Sequence, residues 1–406
     1  MTAQRMPILL GMIALAVLMA CAGPRPLPIL GGAIPSDVAH PKAPGDQAEV
    51  FFITDRSVRT DAARRATYSS GRDAAMSFGR AVLTVENPQR PRILGLRETL
   101  RFPATPLPFS QRDGRVIPDQ QAQADYSAIG RAMQAELGRA LREGNRRDVL
   151  LYVHGFHSQF GTNLQTTIGL WHATDQTTLP LAFSWPSGNP GALGYFKDRE
   201  SGEFSIFHFK QTLRLLAGTP GVRRIHIIAH SRGSDVATTA LRELVIETRA
   251  AGREPREALK IENLILAAPD LDFSVVRQRL IAERFGPAFG RITVYMNPQD
   301  GALGLAQILM AGTRFGRLSY DQLHETERRI FTQIGNVHFI NVSAVIGQSS
   351  HSYFRKNPEV LADISQVITT GAPPDSPQRN LESVDANFWN LVLPPRVKVR
   401  DRKFDP

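Results

Sequence analysis

The chain has a single cysteine, Cys21, among 406 residues. One thiol cannot build a disulfide-stapled scaffold, a cysteine-rich metal site or an iron–sulfur cluster, so these classes are excluded. Hydrophobic residues make up 42% of the chain and charged residues 21%. This is enough apolar mass for a sizeable core, which excludes a disordered or fibrous protein and allows one large or two ordinary domains.

Lysine is scarce, with seven residues against 41 arginines, and the formal net charge is +10. A net positive charge of this size can favour binding to nucleic acid or to anionic lipid. The arginines are scattered among acidic residues, however, except in the C-terminal segment 396–403. We therefore expect an arginine-rich solvated surface and no nucleic-acid partner.

Residues 1–21 have the pattern of an export signal. Arg5 supplies the cationic start, and the apolar run 8–19 has the length of a signal-peptide core but is short for a permanent membrane helix. The run ends in Leu18-Met19-Ala20-Cys21, which resembles a bacterial lipobox. An ordinary cleaved signal peptide is the alternative.

The lipobox resemblance implies that Cys21 is lipidated and becomes the first residue of the mature chain. We then expect a lipid-anchored envelope protein that faces the periplasm, since several acyl chains hold a protein stably on a membrane. Ala22 in place of aspartate favours the outer membrane by the same resemblance. Residues 22–47 are rich in proline, glycine and alanine and predict a tether.

Residues 48–370 predict one α/β domain. Short apolar runs that predict buried strands alternate with segments long enough for crossover helices, and this alternation is typical of a mostly parallel sheet with helices on both faces. The predicted strands are 50–54, 79–85, 149–153, 181–185, 225–229, 264–268, 292–296 and 338–342. The predicted helices are 120–144, 159–174, 205–217, 232–250, 273–283, 301–311 and 357–368. Residues 371–406 predict an extended basic tail.

The segment Ala229-His230-Ser231-Arg232-Gly233 lies between a predicted strand and a predicted helix. A serine between small residues at such a junction is typical of a nucleophile elbow, with strained backbone dihedrals at the serine. The backbone N–H that follows the serine then faces the reacting carbonyl. The alternative is a serine that only caps the helix.

A second turn, His154-Gly155-Phe156, follows the strand 149–153. In α/β-hydrolases, a turn of this kind supplies the second N–H of the oxyanion hole. We assign the two donors to the backbone of Phe156 and Arg232. A simple glycine turn is the alternative.

Two aspartates qualify as the acid of a triad, because each follows a strand at the carboxyl edge where open α/β sheets place their sites. Asp300 follows the strand 292–296, and Asp270 follows the strand 264–268. We favour Asp300, since the acid usually follows the later strand, and retain Asp270 as the alternative.

His351 lies in the loop after the last strand, and a solvated loop histidine is its alternative interpretation. The order Ser231, Asp300, His351 is that of the α/β-hydrolases rather than of other serine hydrolases. The remaining histidines have no carboxylate cluster beside them in the sequence, so we expect no metal and no cofactor.

Six segments in this order resemble a family of bacterial α/β-hydrolases of unknown function, several of which are lipoproteins. The segments are 153–156, 183–187, 195–201, 229–233, 267–270 and 351–354. The resemblance covers roughly residues 48–370 and implies Ser231 as nucleophile, Asp300 as acid and His351 as base. The family usually has methionine after the serine, where this chain has Arg232.

These observations predict a lipid-anchored serine hydrolase that acts on a small-molecule or lipid carboxylic ester through an acyl-enzyme. The alternative is a non-catalytic envelope lipoprotein that uses the hydrolase scaffold for binding.

Overall fold

The computed structural model describes residues 47–60, 66–85, 87, 91–190, 193–346 and 351–394. The export signal predicted for 1–21, its Cys21, nearly all of the predicted tether and the basic segment 396–403 lie outside these ranges.

A large, mostly parallel sheet forms the centre of the domain. The strands are β1 (Gln47–Thr60), β2 (Ala66–Thr84), β3 (Ile93–Arg101), β4 (Phe109–Arg112), β5 (Arg115–Pro118), β6 (Asp148–Val153), β7 (Leu179–Ser184), β8 (Arg224–His230), β9 (Ile261–Ala267), β10 (Arg291–Met296), β11 (Val337–Asn341), β12 (Leu381–Asp385) and β13 (Phe388–Leu391). Within the described residues, eleven of them form one sheet in the order β12-β13-β11-β10-β9-β8-β6-β7-β1-β2-β3, and β4 pairs only with β5. The strands β2, β3 and β12 run antiparallel to their neighbours.

Helices cover both faces of the sheet. They are α1 (Gln120–Glu143), α2 (Phe160–Ala173), α3 (Gly194–Ala217), α4 (Gly233–Ala250), α5 (Pro255–Leu259), α6 (Phe273–Val275), α7 (Gly301–Met310), α8 (Glu325–Thr332), α9 (Ser343–Ile346), α10 (Tyr353–Lys356) and α11 (Pro358–Thr369), and a π-helix, Val276–Ile281, follows α6. One face packs against α1, α3 and α4, and the opposite face packs against α2 and α11. In the described part of the chain, no helix is both long and apolar enough to cross a membrane.

The predicted alternation of parallel strands and helices is confirmed, because each central strand is an apolar run that is buried on both faces. The strand β7 begins at Leu179, two residues before the predicted strand 181–185, so Pro180 lies inside it. The neighbouring strand β1 pairs with β7 only from Leu181 onward. At Pro180, β7 therefore pairs with β6 alone.

Three other regions differ from the expectation. Helix α3 begins at Gly194, eleven residues before the predicted start. The strands β1 and β2 are far longer than predicted, because they form an antiparallel hairpin with each other. The segment after residue 371 is not only an extended tail: β12 and β13 form a hairpin, and β13 joins the edge of the sheet beside β11.

The strands β6, β8, β9, β10 and β11 are parallel neighbours, so their carboxyl ends meet at one edge of the sheet. The loops that leave this edge carry Phe156, Ser231, Arg232, Asp270, Asp300 and His351, which are the catalytic and oxyanion-hole residues predicted from the sequence. This is the edge at which open α/β sheets place their ligand sites.

Candidate active site

Ser231 lies at a sharp turn between β8 and α4. Its φ angle is +50°, in the left-handed region that costs a non-glycine residue on the order of 1–3 kcal/mol. A Cβ built on Gly233 would lie 2.3 Å from the carbonyl oxygen of His154, so only glycine allows the helix to approach this closely. The cap residue of α4 is Arg232, and no side chain caps the helix. Ser231 therefore has the position of an elbow serine and does not serve as a helix cap.

Asp300 and His351 form a close pair. Nδ1 of His351 lies 2.8 Å from Oδ2 of Asp300. The other oxygen, Oδ1, accepts hydrogen bonds from the backbone of Ala302 at 3.0 Å and Leu303 at 3.1 Å, because Asp300 caps helix α7. The carboxylate is fully buried, and its orientation is determined by three donors.

The contact between Asp300 and His351 shifts the pKa values of both side chains. Burial by itself lowers the pKa of His351, but the charge and hydrogen bond of Asp300 outweigh this effect and raise it above 6.5. Burial raises the pKa of Asp300, but the charge of His351 and the hydrogen bonds to the carboxylate hold it below its ordinary value. The shifts favour an ionised carboxylate beside an imidazole that readily accepts a proton.

Asp270, the alternative acid, has other partners. It accepts a hydrogen bond from Oη of Tyr195 at 2.9 Å, and a guanidinium nitrogen of Arg314 lies 3.7 Å from its Oδ1. The structure thus brings Asp300, and not Asp270, to the imidazole of His351.

Two aromatic residues hold the His351 loop against the sheet. Oη of Tyr353 donates to the carbonyl oxygen of Tyr295 at 2.8 Å and accepts from the amide of Ala268 at 3.0 Å. His230, the residue before the elbow serine, places its Nε2 3.0 Å from the carbonyl oxygen of His351. Burial, followed by the charge of His351, lowers the pKa of His230 well below 6.5. A neutral His230 therefore donates its Nε2–H and fixes the backbone of His351.

Ser231, His351 and Phe156 line one small pocket of about 60 Å³. Among the described residues, neither the amide of Phe156 nor that of Arg232 donates a hydrogen bond to another protein group. A Cβ built on Gly155 would lie 2.7 Å from the Cβ of Ser231, so the predicted oxyanion turn lies directly against the serine. The pocket therefore combines a hydroxyl, an imidazole and the turn that carries Phe156, and the amide of Arg232 follows Ser231 directly in the chain.

These features agree with the comparison of the sequence with known families. Residues 129–370 match the model of a family described as alpha/beta hydrolase of unknown function (DUF900). The chain belongs to this family.

Several solved structures are similar in fold to this DUF900 hydrolase. A protein assigned as a cell-surface hydrolase in Lactobacillus plantarum WCFS1 is 13% identical, with a TM-score of 0.35, over 57% of this chain and 94% of that one. A lipase-esterase related protein from Clostridium acetobutylicum ATCC 824 is 8% identical, with a TM-score of 0.30, over 56% and 95%. Likenesses this distant concern the fold alone. No protein of curated function matches the sequence.

A buried arginine of this hydrolase, Arg56 within β1, was not predicted from the sequence. Its guanidinium donates to the carbonyl oxygens of Ser158 and Ser187, each at 2.8 Å, and lies 3.3 Å from Nε2 of His154. Burial lowers the pKa of Arg56 to about 10, against the opposing charges of Asp198 and Asp55, so the group stays charged at neutral pH. Arg56 lies outside the part of the chain that matches the family, and its only signal is its place after the predicted strand 50–54.

Asp198 holds the same loop from the other side. Its carboxylate is fully buried and accepts from the backbone of His157, Gly188 and Asn189 at 2.9–3.1 Å. Arg56 and Asp198 together determine the course of the oxyanion turn. The sequence contains no local signal for this role, since the loops that Asp198 joins are distant along the chain.

The other sequence-predicted residues have structural partners. The guanidinium of Arg232 is paired with Asp235 at 2.8 Å and is absent from the pocket lining among the described residues. His154 stacks on Trp185 at 4.9 Å between ring centroids, and burial, followed by the charge of Arg56, lowers its pKa well below 6.5. In the described ranges, no group of three or more histidine, cysteine or acidic residues could hold a metal ion.

Proposed function

We propose that this hydrolase is a serine esterase that hydrolyses carboxylic esters with Ser231 as nucleophile, His351 as base and Asp300 as acid. The observation that carries the proposal is the 2.8 Å contact between His351 and Asp300, in a pocket that also contains Ser231 at a strained turn. Nucleophilic catalysis by serine needs these three groups in this arrangement.

The reaction follows from the position of each group. Neutral His351 takes the proton of Ser231 while Oγ attacks the carbonyl carbon, and the amides of Phe156 and Arg232 stabilise the oxyanion. Asp300 keeps the proton of His351 on Nδ1, so that Nε2 faces the serine, and stabilises the imidazolium that forms. His351 then protonates the leaving alcohol, and water releases the acyl group by the same route.

The test is labelling with a fluorophosphonate probe, together with turnover of acyl esters of graded chain length. We expect Ser231→Ala to abolish labelling and to lower kcat by at least about 10³-fold. Ser110→Ala, in the exposed hairpin β4–β5, is the matched control and should behave as the wild type. Equal labelling of the wild type and Ser231→Ala would contradict the proposal. Ligand binding without turnover would favour the non-catalytic scaffold instead.

We further propose that lipid on Cys21 anchors the enzyme to the membrane and that it faces the periplasm. The support is the lipobox-like segment 18–21 and the stable attachment that several acyl chains provide. Mass spectrometry of the membrane fraction should find a lipidated N-terminal cysteine, and Cys21→Ser should release the protein from that fraction. An unmodified Cys21 in the membrane fraction would contradict the anchor.

A further inference from the structure

The pocket beside Ser231 has a polar lining that the proposed reaction does not explain. Hydroxyl groups of Thr162, Thr166 and Ser352 line it, together with the imidazole of His230 and the guanidinium of Arg355. None of the described residues that line the pocket carries a carboxylate. A long hydrocarbon chain would bury the guanidinium of Arg355 against apolar groups, which is unfavourable for a charged side chain.

Arg355 carries a positive charge at this pocket that no acidic partner neutralises within the described residues. Its one described side-chain contact is a weak hydrogen bond, 3.5 Å long, to Oγ1 of Thr166. Arg232, which follows Ser231 directly, is by contrast paired with Asp235 at 2.8 Å. Of these two arginines near the serine, only Arg355 is available to a ligand.

The other charges near the pocket are already engaged. Asp300 is hydrogen-bonded to His351 and to two backbone amides, and His351 is neutral when it acts as base. His230 is neutral as well, because burial, and also the charge of Arg355, lower its pKa well below 6.5. Among the described residues that line the pocket, Arg355 is the only arginine or lysine, and no carboxylate balances its charge.

The size of the pocket limits what this cation can bind. The pocket is small, with a volume of about 60 Å³. Ser231 and Arg355 line the same small space, so a group bound by Arg355 lies only a short spacer away from the carbonyl that Ser231 attacks. Arginine binds carboxylates through two parallel hydrogen bonds, which gives this position orientation as well as charge.

We propose that Arg355 binds a carboxylate on the acyl group of the substrate, and that the enzyme hydrolyses half-esters of short dicarboxylic acids. This inference rests on the proposed esterase activity and names its substrate class. Oγ of Ser231 bonds to the carbonyl carbon, and the ester C–O bond breaks. The alcohol leaves with the proton that His351 carries. Water then releases the free dicarboxylate and restores the serine.

The experiment compares an anionic with a neutral ester of the same acid, using the full chain in detergent. Monoethyl succinate and diethyl succinate serve as the probes, and kcat/KM is measured for each by alkali uptake at constant pH. We expect the wild type to prefer monoethyl succinate. Arg355→Gln should lower the ratio of the two kcat/KM values by about 10- to 100-fold, as expected when a charge-assisted contact is lost. Arg355→Lys should restore part of it.

The matched control is Arg131→Gln, an exposed arginine on helix α1, which should leave the ratio unchanged. The inference would be overturned if the wild type preferred diethyl succinate. It would also be overturned if Arg355→Gln folded and left the ratio of the two kcat/KM values unchanged. The esterase proposal would still stand if the wild type hydrolysed diethyl succinate and Ser231→Ala did not. No turnover of any ester by the wild type would overturn both.

Discussion

Two buried aspartate–histidine pairs in this protein have nearly the same contact but different surroundings. In one, Nδ1 of His351 lies 2.8 Å from Asp300, and in the other, Nδ1 of His208 lies 3.0 Å from Asp55. Asp55, like Asp300, follows a stretch of buried residues near the carboxyl edge of the sheet. The contact between the two side chains is therefore not what distinguishes a site from a structural pair.

The second imidazole nitrogen makes the difference. Nε2 of His208 lies 3.1 Å from Oγ1 of Thr105, and this polar contact occupies the atom that a catalytic base would need. His351 instead lines the pocket that contains Ser231. One pair connects β1, helix α3 and the segment before β4, and the other presents an imidazole to a ligand.

The second carboxylate oxygen differs as well. Oδ1 of Asp300 accepts from two backbone amides, whereas Oδ1 of Asp55 has no hydrogen-bond partner among the described residues. Substitution by asparagine therefore affects the two pairs differently. In Asp55→Asn, the NH₂ group can take the place of Oδ1, which has no partner to lose, and the remaining oxygen can still accept from His208.

The largest effect is expected from Asp300→Asn. The amide oxygen must stay with the two backbone N–H groups, so the NH₂ group faces His351 and forces its proton onto Nε2, where it blocks attack by the serine. We expect kcat to fall by about 10³- to 10⁴-fold with the fold retained, as for the wrong tautomer in well-characterised serine proteases. Ester turnover and circular dichroism check this. Turnover near the wild-type level would remove Asp300 from the proposed triad.

Asp55→Asn is the matched control in the second pair. The carbonyl oxygen of asparagine can keep the proton of His208 Nδ1, so we expect a loss of unfolding free energy of about 1–2 kcal/mol and no change in the pH profile of turnover. Denaturant titration and a pH–rate profile measure the two quantities. A loss of turnover like that of Asp300→Asn would mean that the two pairs do not differ in the way described.

His230→Phe tests what holds the imidazole of His351, the proposed base, in place. The phenyl ring keeps the stacking on Phe354, which is 4.4 Å between centroids, but loses the hydrogen bond to the carbonyl oxygen of His351. We expect kcat to fall about 3- to 10-fold with little change in KM, the size of one ordinary hydrogen bond. An unchanged kcat would show that Tyr353 alone positions the loop.

The smallest effect is expected in the pH dependence of kcat/KM. A protonated imidazole cannot accept the serine proton, so kcat/KM should fall as the pH decreases through the pKa of His351, which Asp300 raises above 6.5. The acidic limb of the profile should therefore have its midpoint above 6.5. In Asp300→Asn, the residual activity should show this limb at lower pH, because the raising charge is gone. If the acidic limb has the same midpoint in Asp300→Asn as in the wild type, the group that titrates there is not His351.

Part of the site could be predicted from the sequence because its signals are local. The elbow at Ser231 combines an apolar strand, a serine and Gly233 within a few residues, and the structure has the expected turn with φ of +50°. The order of Ser231, Asp300 and His351 along the chain is likewise visible without coordinates. The parallel strands were predictable because burial on both faces demands continuous apolar runs.

Other features depend on contacts between distant segments. The choice between Asp300 and Asp270 was open in the sequence, since both follow strands at the same edge. Asp198 has the charged neighbours of a surface turn in the sequence, yet it is fully buried. The strands β12 and β13 have short, mixed sequences, and they form because the edge of β11 offers a partner.

The amino-acid sequence by itself determined the α/β alternation, the strained serine turn and the order of the proposed triad, because periodicity, small residues and motif spacing act over short stretches of chain. The tertiary structure decided which aspartate meets His351 and which arginine supports the turn 154–156. It also decided which arginine in the pocket of Ser231 has no acidic partner among the described residues. Hydrogen bonds and ion pairs depend on distances in space, and the fold sets these distances between residues as far apart as Arg56 and His154.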